Sequence, residues 1–178
     1  KGELKIPGFS EYLHPIADGL LVGVGYDGTE SGTNGDCKVS LFDVSNPYEP
    51  KETSVVRVIN GDGSVYNSIG MNHKLYIKLS ENEFAVPFNV SWFVHSGEKG
   101  RERGEYYIRY RLEDGKLNEV SRYYMCDAKT AVMGATYVKD TFYAVINKYN
   151  TRDDIDTYIV AFDLNANEEI GRIQTAGK

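Results

Sequence analysis

Short runs of β-branched and aromatic residues recur along the whole chain and are separated by clusters of Gly, Asn and Asp. This pattern is typical of antiparallel strands that are joined by turns. The chain carries 14 Tyr and 7 Phe residues, and no segment keeps the 3.6-residue period of an amphipathic helix for three turns. The sequence therefore predicts an all-β fold.

Three segments repeat one short pattern, in which an aromatic residue is followed by a charged and then an aliphatic residue. They are SLFDVS at 40–45, IRYRLE at 108–113 and VAFDLN at 160–165. Their aromatic residues, Phe42, Tyr110 and Phe162, are 68 (110 − 42) and 52 (162 − 110) residues apart. Repeats of four strands with loop insertions give spacings of this size.

Four-stranded antiparallel sheets stacked around an axis make a β-propeller. We therefore predict one β-propeller fragment over residues 1–178, with about three blades at roughly 10–60, 65–126 and 130–176. Propellers typically have about four to eight blades. We expect the chain to be part of a larger ring, or to self-associate through two exposed end blades.

The charge of the chain disfavours two classes of partner. The formal net charge is −6, whereas nucleic acids and anionic membrane surfaces attract basic proteins. No apolar run approaches the roughly 20 residues that cross a bilayer. Because the sequence opens with Lys1 and not with Met, we expect an excised piece whose targeting segment, if any, lay upstream.

A family resemblance rests on motifs that follow one another in the first half of the chain. They are PGFSEYLHP at 7–15, LVGVG at 21–25, KVSLFDVSNP at 38–47, PKE at 50–52 and NHK at 72–74. In this order they resemble secreted proteins with a C-terminal β-propeller domain distantly related to WD repeats, most strongly over residues 4–90. The resemblance implies a bacterial or archaeal protein that is secreted or attached to the cell surface, with no assigned role and no catalytic residues. Asn72 stands where that family tends to have Asp, which weakens any metal-binding or catalytic role of the position.

The histidines offer a structural interpretation. His14, His73 and His95 are too widely spaced to indicate a zinc site. By analogy with the His–Asp pairs of WD-like propellers, we expect His14 and His73 to be structural, with Asp43 or Asp163 as possible partners. Together with Phe42, these four residues form the predicted structural motif, and no catalytic residue is assigned.

The polar loop 27–36 is the weak candidate for a cofactor site. Asp27, Glu30 and Asp36 offer oxygen ligands for calcium. Lys38 stands at the twelfth position from Asp27, where an EF-hand has its bidentate Glu. A glycine-rich hairpin loop is the favoured interpretation, so no cofactor is predicted.

The cysteines and the tyrosine-rich strands favour core roles. Cys37 and Cys126 are most simply two separate buried thiols, although a single disulfide bridge is an alternative. A tyrosine-rich hairpin should bury about half of its rings between blades; its rings are Tyr106, Tyr107, Tyr110, Tyr123 and Tyr124. Trp92 is assigned to the core, with a binding loop as the alternative.

The functional prediction follows from the absence of a catalytic motif. The sequence has no Gly-x-Ser-x-Gly motif, no Walker-type loop and no dinucleotide fingerprint. We therefore expect a non-enzymatic extracellular domain that binds or scaffolds a protein or a cell-surface glycan. One alternative is a carbohydrate-active or other hydrolytic enzyme with its site at the channel mouth, because paired carboxylates are set by three-dimensional spacing. A structural spacer is a further alternative.

Overall fold

The chain folds as antiparallel sheets in a computed structural model that describes residues 2–28, 34–58, 64–92, 102–127, 130–151 and 154–175. The first sheet has strands in the order β1-β2-β3-β4. Its strands are β1 Phe9–Ala17, β2 Leu20–Gly28, β3 Asn34–Asp43 and β4 Lys51–Arg57. Each pairs with the next along the chain, as expected for strands joined by short turns.

The second sheet has five strands in place of the four of its neighbours. They are β5 Ser64–Asn67, β6 Ile77–Lys78, β7 Glu83–Trp92, β8 Glu102–Glu113 and β9 Lys116–Asp127. The order is β5-β7-β8-β9, and β6 pairs with β7 beside β5. A short 3-10 helix over His73–Leu75 lies between β5 and β6.

The third sheet repeats the plan of the first, in the order β10-β11-β12-β13. Its strands are β10 Thr130–Val138, β11 Thr141–Tyr149, β12 Ile155–Asp163 and β13 Glu168–Thr175. The predicted fold class is thus confirmed as all-β, with three antiparallel sheets of four or five strands.

The aromatic residues of the sequence repeat occupy equivalent places in the three sheets. Phe42, Tyr110 and Phe162 lie on the third strand of the main path, opposite an apolar residue of the second. Each also lies at a β-bulge between the third and the outermost strand. Two residues further on, a backbone amide donates to a carbonyl just before the second strand, at 2.7, 2.7 and 2.8 Å; the pairs are Val44 with Gly19, Leu112 with Asn82, and Leu164 with Asp140.

The core consists of two layers, one on each face of the second sheet. The layer against the first sheet contains Val24, Val39 and Tyr110, and the layer against the third contains Tyr107 and Phe142. Hydrogen bonds between side chains and backbone groups also join neighbouring sheets. Arg109 donates to the Leu164 carbonyl at 2.7 Å, and the Leu117 amide donates to Ser54 Oγ at 3.0 Å. The three sheets are therefore joined by polar bonds as well as by apolar packing.

The two end sheets differ in how their outward faces are filled. In the first sheet, Ser40 and Phe42 are buried, and a Cβ atom at Gly23 would lie 2.6 Å from the Phe42 ring. Buried Lys38 crosses the same face, where its amine contacts Glu52 and donates to the Pro7 carbonyl. Leu13 also lies on this face and is exposed. The third sheet instead exposes a row of three apolar side chains across its outward face, so it is the more open of the two end faces.

Candidate functional site

The inner strand of the second sheet is broken. The strand that begins each sheet path is β1, β5 or β10, and in a propeller this strand is nearest the channel. β5 and β6 both pair with β7, but residues 68–76 leave the sheet between them. We call this segment the inner-strand break. It presents Met71, which is 93% exposed, and the exposed side chains of His73 and Lys74.

Hydrogen bonds hold the inner-strand break in one shape. The Gly70 amide donates to Asn67 Oδ1 at 3.1 Å, and the Lys74 amide donates to Asn72 Oδ1 at 3.2 Å. The Tyr107 hydroxyl donates to the Leu75 carbonyl at 3.0 Å from inside the core. The backbone of the segment is thus fixed from both ends.

A β-bulge in β1 turns polar and aromatic side chains toward this break. The pairing of β1 with β2 shifts between Ser10 and Tyr12, so Glu11 is the extra residue. Glu11 Oε2 accepts a hydrogen bond from Asn67 Nδ2 at 2.8 Å. A Cβ atom at Gly70 would lie 2.6 Å from the same oxygen, so a larger residue there would displace the Glu11 carboxylate. An equivalent shift in β10 leaves Met133 as the extra residue.

Aromatic rings continue this contact along β1. The Tyr12 hydroxyl and His14 Nδ1 are hydrogen-bonded at 2.9 Å. The His14 ring stacks on Tyr76, with 4.1 Å between the centroids, and Tyr76 stacks on Phe84. Burial and the charge of Lys78 lower the pKa of His14, which favours the neutral ring. We call the facing set of Glu11, Tyr12, His14 and Tyr76 the inner seam.

A buried carboxylate connects the break to the third sheet. Glu105 lies on β8, where Oε1 accepts from Ser68 Oγ at 3.1 Å and Oε2 accepts from the Val132 amide at 2.9 Å. Burial raises the pKa of Glu105, while these two bonds oppose the shift. Through these two bonds, Glu105 fixes the start of the inner-strand break relative to β10 of the third sheet.

The predicted structural motif separates into different roles. Asp43 Oδ1 accepts bonds from Ser45, and Asp163 Oδ1 accepts from the amides of Asn165 and Ala166, so both cap turns after a third strand. These bonds hold the pKa of both carboxyl groups below its ordinary value. Among the described hydrogen bonds, none joins either Asp to His14 or His73. His14 belongs to the inner seam and His73 to the inner-strand break.

The candidate calcium ligands that the structure describes, Asp27 and Asp36, have different surroundings. Asp27 is paired with Lys38 and Arg57. Burial favours its neutral acid, but the bonds from those cations outweigh burial and lower the pKa of Asp27. Asp36 is exposed, and Glu30 lies outside the described residues. In the described ranges, no group of three His, Cys, Asp or Glu side chains is placed to hold a metal ion.

The remaining predicted residues are mostly core residues. Cys37 is a buried free thiol whose Sγ donates to the Val65 carbonyl at 3.3 Å, and burial raises its pKa to about 12. Tyr107, Tyr110 and Tyr123 are buried, whereas Tyr124 is exposed. The side chains of Trp92, His95 and Cys126 lie outside the described part of the chain. Sequence reasoning missed Glu11, Tyr76 and Glu105. The one signal was Glu105 itself, an acidic residue directly before the aromatic run YYI at 106–108.

The stacked antiparallel sheets define a β protein of the propeller class. The chain belongs to the beta propeller domain family, whose model matches residues 1–158. This fold indicates a binding or scaffold domain. In the described residues, no helix has the length and apolar character needed to cross a membrane.

Two similar proteins come from archaea. An uncharacterized protein of Methanocaldococcus jannaschii is 51% identical over 51 residues, which are 29% of this chain and 7% of that protein. An uncharacterized protein of Archaeoglobus fulgidus is 35% identical over 100 residues, which are 56% of this chain and 14% of that protein. The chain thus matches a small part of much longer relatives. No solved structure matches the chain.

Proposed function

We propose that the chain is a section of an extracellular, non-enzymatic β-propeller that scaffolds a larger ring and binds a protein or cell-surface glycan. The proposal includes an archaeal or bacterial source, secretion or surface attachment, a distant relation to WD repeats, and no cofactor. Its scaffold role rests on one observation, an apolar row on the open face of the third sheet.

That row is formed by Val145, Ile159 and Ile173, which face one another across three strands. All three are exposed, and Ile173 is 68% exposed. An exposed contiguous apolar surface of this kind marks an interaction site. We call these three residues the docking row.

The same register positions are covered in the other two sheets. Ile159 lies three residues before the repeat aromatic Phe162. The residues three before the other two repeat aromatics, with their partners on the two neighbouring strands, form equivalent apolar rows. These are Val24, Val39 and Val56 in the first sheet, and Pro87, Tyr107 and Tyr123 in the second. The first row packs against the second sheet. In the second row, Tyr107 and Tyr123 belong to the layer shared with the third sheet, and Pro87 is buried. This equivalence supports a further sheet of the longer protein as the occupant of the docking row.

The test introduces a charge into the docking row. Ile173→Lys should leave the stability of the 178-residue chain nearly unchanged, because the side chain is exposed there. In the natural full-length protein it should be strongly destabilising, because a charge would be buried between sheets. Ile170→Lys is the matched control, since Ile170 is exposed on the same strand but outside the row.

Two results would contradict the proposal. Equal effects of the Ile173 and Ile170 variants in the full-length protein would show that no sheet covers the row. Sedimentation that finds a dimer of the full-length protein through this row would assign the surface to a second copy. Surface labelling of intact cells checks export, and turnover of a glycan or peptide panel would contradict the non-enzymatic role.

A further inference from the structure

We propose that Asn147 and Thr157, on the open face of the third sheet, bind the main chain of the inner strand of the sheet that covers the docking row. Thr157 Oγ1 accepts one backbone N–H group of that strand, and Asn147 Nδ2 donates to one backbone C=O group. We call these two residues the anchor pair. The inference rests on the proposed scaffold role and adds the contact that positions the covering sheet.

The anchor pair occupies a place that carries hydrogen-bonding side chains in every sheet. It consists of the residue five before the repeat aromatic and its partner on the preceding strand, and it lies two residues from the apolar row on the same face. The three pairs are Cys37 with Tyr26, Glu105 with Asn89, and Thr157 with Asn147. The three sheets can therefore be compared at this position.

Between the first and second sheets, this pair binds the main chain of the inner strand β5. Cys37 Sγ donates to the Val65 carbonyl at 3.3 Å. The Tyr26 hydroxyl oxygen accepts from the Asn67 amide at 3.4 Å. One donor and one acceptor thus hold two backbone groups of the same strand, two residues apart.

Between the second and third sheets, Glu105 makes the equivalent contact. Its Oε2 atom accepts from the Val132 amide at 2.9 Å. Val132 and Asn67 are equivalent, because each directly precedes the irregular part of its inner strand, which is Met133 in β10 and residues 68–76 in the second sheet. An irregular strand leaves backbone groups outside its ladder, and once buried between sheets these groups need a partner from elsewhere.

In the third sheet, the same capacity is present and unused. Thr157 Oγ1 donates to Asn147 Oδ1 at 2.9 Å, which orients both side chains. The hydroxyl oxygen keeps its lone pairs as an acceptor, and Asn147 Nδ2 remains a donor. Among the described residues, Asn147 Nδ2 has no partner, and it is not buried. Both residues are half-buried, whereas Cys37 and Glu105 are buried beneath the next sheet. An inner strand is therefore the occupant that the two closed interfaces assign to the anchor pair.

Hydrogen exchange of the natural full-length protein, followed by mass spectrometry, tests the anchor pair. Thr157→Val keeps the size of the side chain and removes the hydroxyl group. We expect exchange in one peptide outside the 178 residues to become about tenfold faster, which is the loss of one buried hydrogen bond. Thr157→Ser keeps the hydroxyl group and should exchange as the wild type does. Thr151→Val is the matched control, because Thr151 is exposed on the loop between β11 and β12.

The outcomes separate this inference from the docking row. Identical exchange in Thr157→Val and Thr157→Ser, with Ile173 still shielded in the full-length protein, would overturn the anchor pair and leave the docking row intact. An unshielded Ile173 would overturn the covering sheet itself. Faster exchange confined to peptides of the 178 residues, in a protein that sediments as a dimer, would assign the anchor pair to a second copy and would also overturn the inference.

Discussion

Two buried tyrosines on one strand, which face opposite sides of the sheet, differ in the bonding of their hydroxyl groups. Tyr107 and Tyr110 both lie on β8 and both are fully buried. The Tyr107 hydroxyl donates to the Leu75 carbonyl at 3.0 Å. The Tyr110 hydroxyl has no partner among the described residues. Replacement of each by Phe removes one oxygen and leaves the ring.

The two substitutions should therefore have different effects on the free energy of unfolding. Tyr107→Phe leaves the buried Leu75 carbonyl without its donor, which costs about 1.5 kcal/mol. Tyr110→Phe removes a buried polar atom that makes no bond, so it should be neutral or stabilising by up to about 1 kcal/mol. For a domain of this size, the loss at Tyr107 corresponds to a fall of about 3–6 °C in the melting temperature.

Thermal and urea unfolding of the wild-type chain and both variants measures this difference. The two variants remove the same atom from the same strand, so each is the control for the other. A loss of stability in Tyr110→Phe as large as that in Tyr107→Phe would refute the reasoning, because it would require a bonded Tyr110 hydroxyl.

Two further substitutions test buried charges. The fold raises the pKa of Glu105, so its stabilising contribution is present below the unfolded pKa of about 4.3 and is lost as pH rises through the folded pKa. As the pH rises from 4 to 7, the wild type should lose stability that Glu105→Gln keeps, so the variant becomes more stable relative to the wild type in urea melts. If the difference in unfolding free energy between the two proteins did not change with pH, the raised pKa of Glu105 would be contradicted. Lys38 is buried against Asp27 and Glu52, so Lys38→Met should cost about 3 kcal/mol. Adding Glu52→Gln should recover part of that loss, and full additivity of the two changes would contradict the pairing.

The three-sheet repeat could be predicted because it depends on short local sequence patterns. The aromatic positions Phe42, Tyr110 and Phe162 follow from strand alternation and spacing alone, and the structure places them in one register. Turn chemistry also appears in the sequence. Asp43 and Asp163 are followed by Ser45 and Asn165, and short polar residues of this kind cap their own turns.

The inner seam could not be predicted, because it depends on pairing. Glu11 reaches Asn67 only through a bulge, and a bulge depends on how two strands align. The inner-strand break has the composition of an ordinary loop, and only the pairing of β5 and β6 with the same strand shows its place. The sequence distance between Glu11 and Tyr76 gave no reason to consider them together.

The partners of the charged residues could not be predicted for a related reason. The sequence presents Asp27 beside its loop neighbours, as a weak calcium candidate, whereas its partners Lys38 and Arg57 come from the two following strands. Glu105 has no predicted role, because Ser68 reaches it from the inner-strand break of its own sheet and Val132 only where the third sheet packs against the second. Long-range pairing, which local sequence patterns do not encode, decides these contacts.

Hydroxyl-radical footprinting tests the central claim most directly, by comparing the 178-residue chain with the natural full-length protein. The claim is that a further sheet covers the docking row, and Ile173 reports on that row, while Tyr48 on an exposed turn is the internal reference. We expect oxidation of Ile173 in the chain alone and its protection in the full-length protein, with Tyr48 labelled equally in both. Equal labelling of Ile173 in the two proteins would contradict the claim.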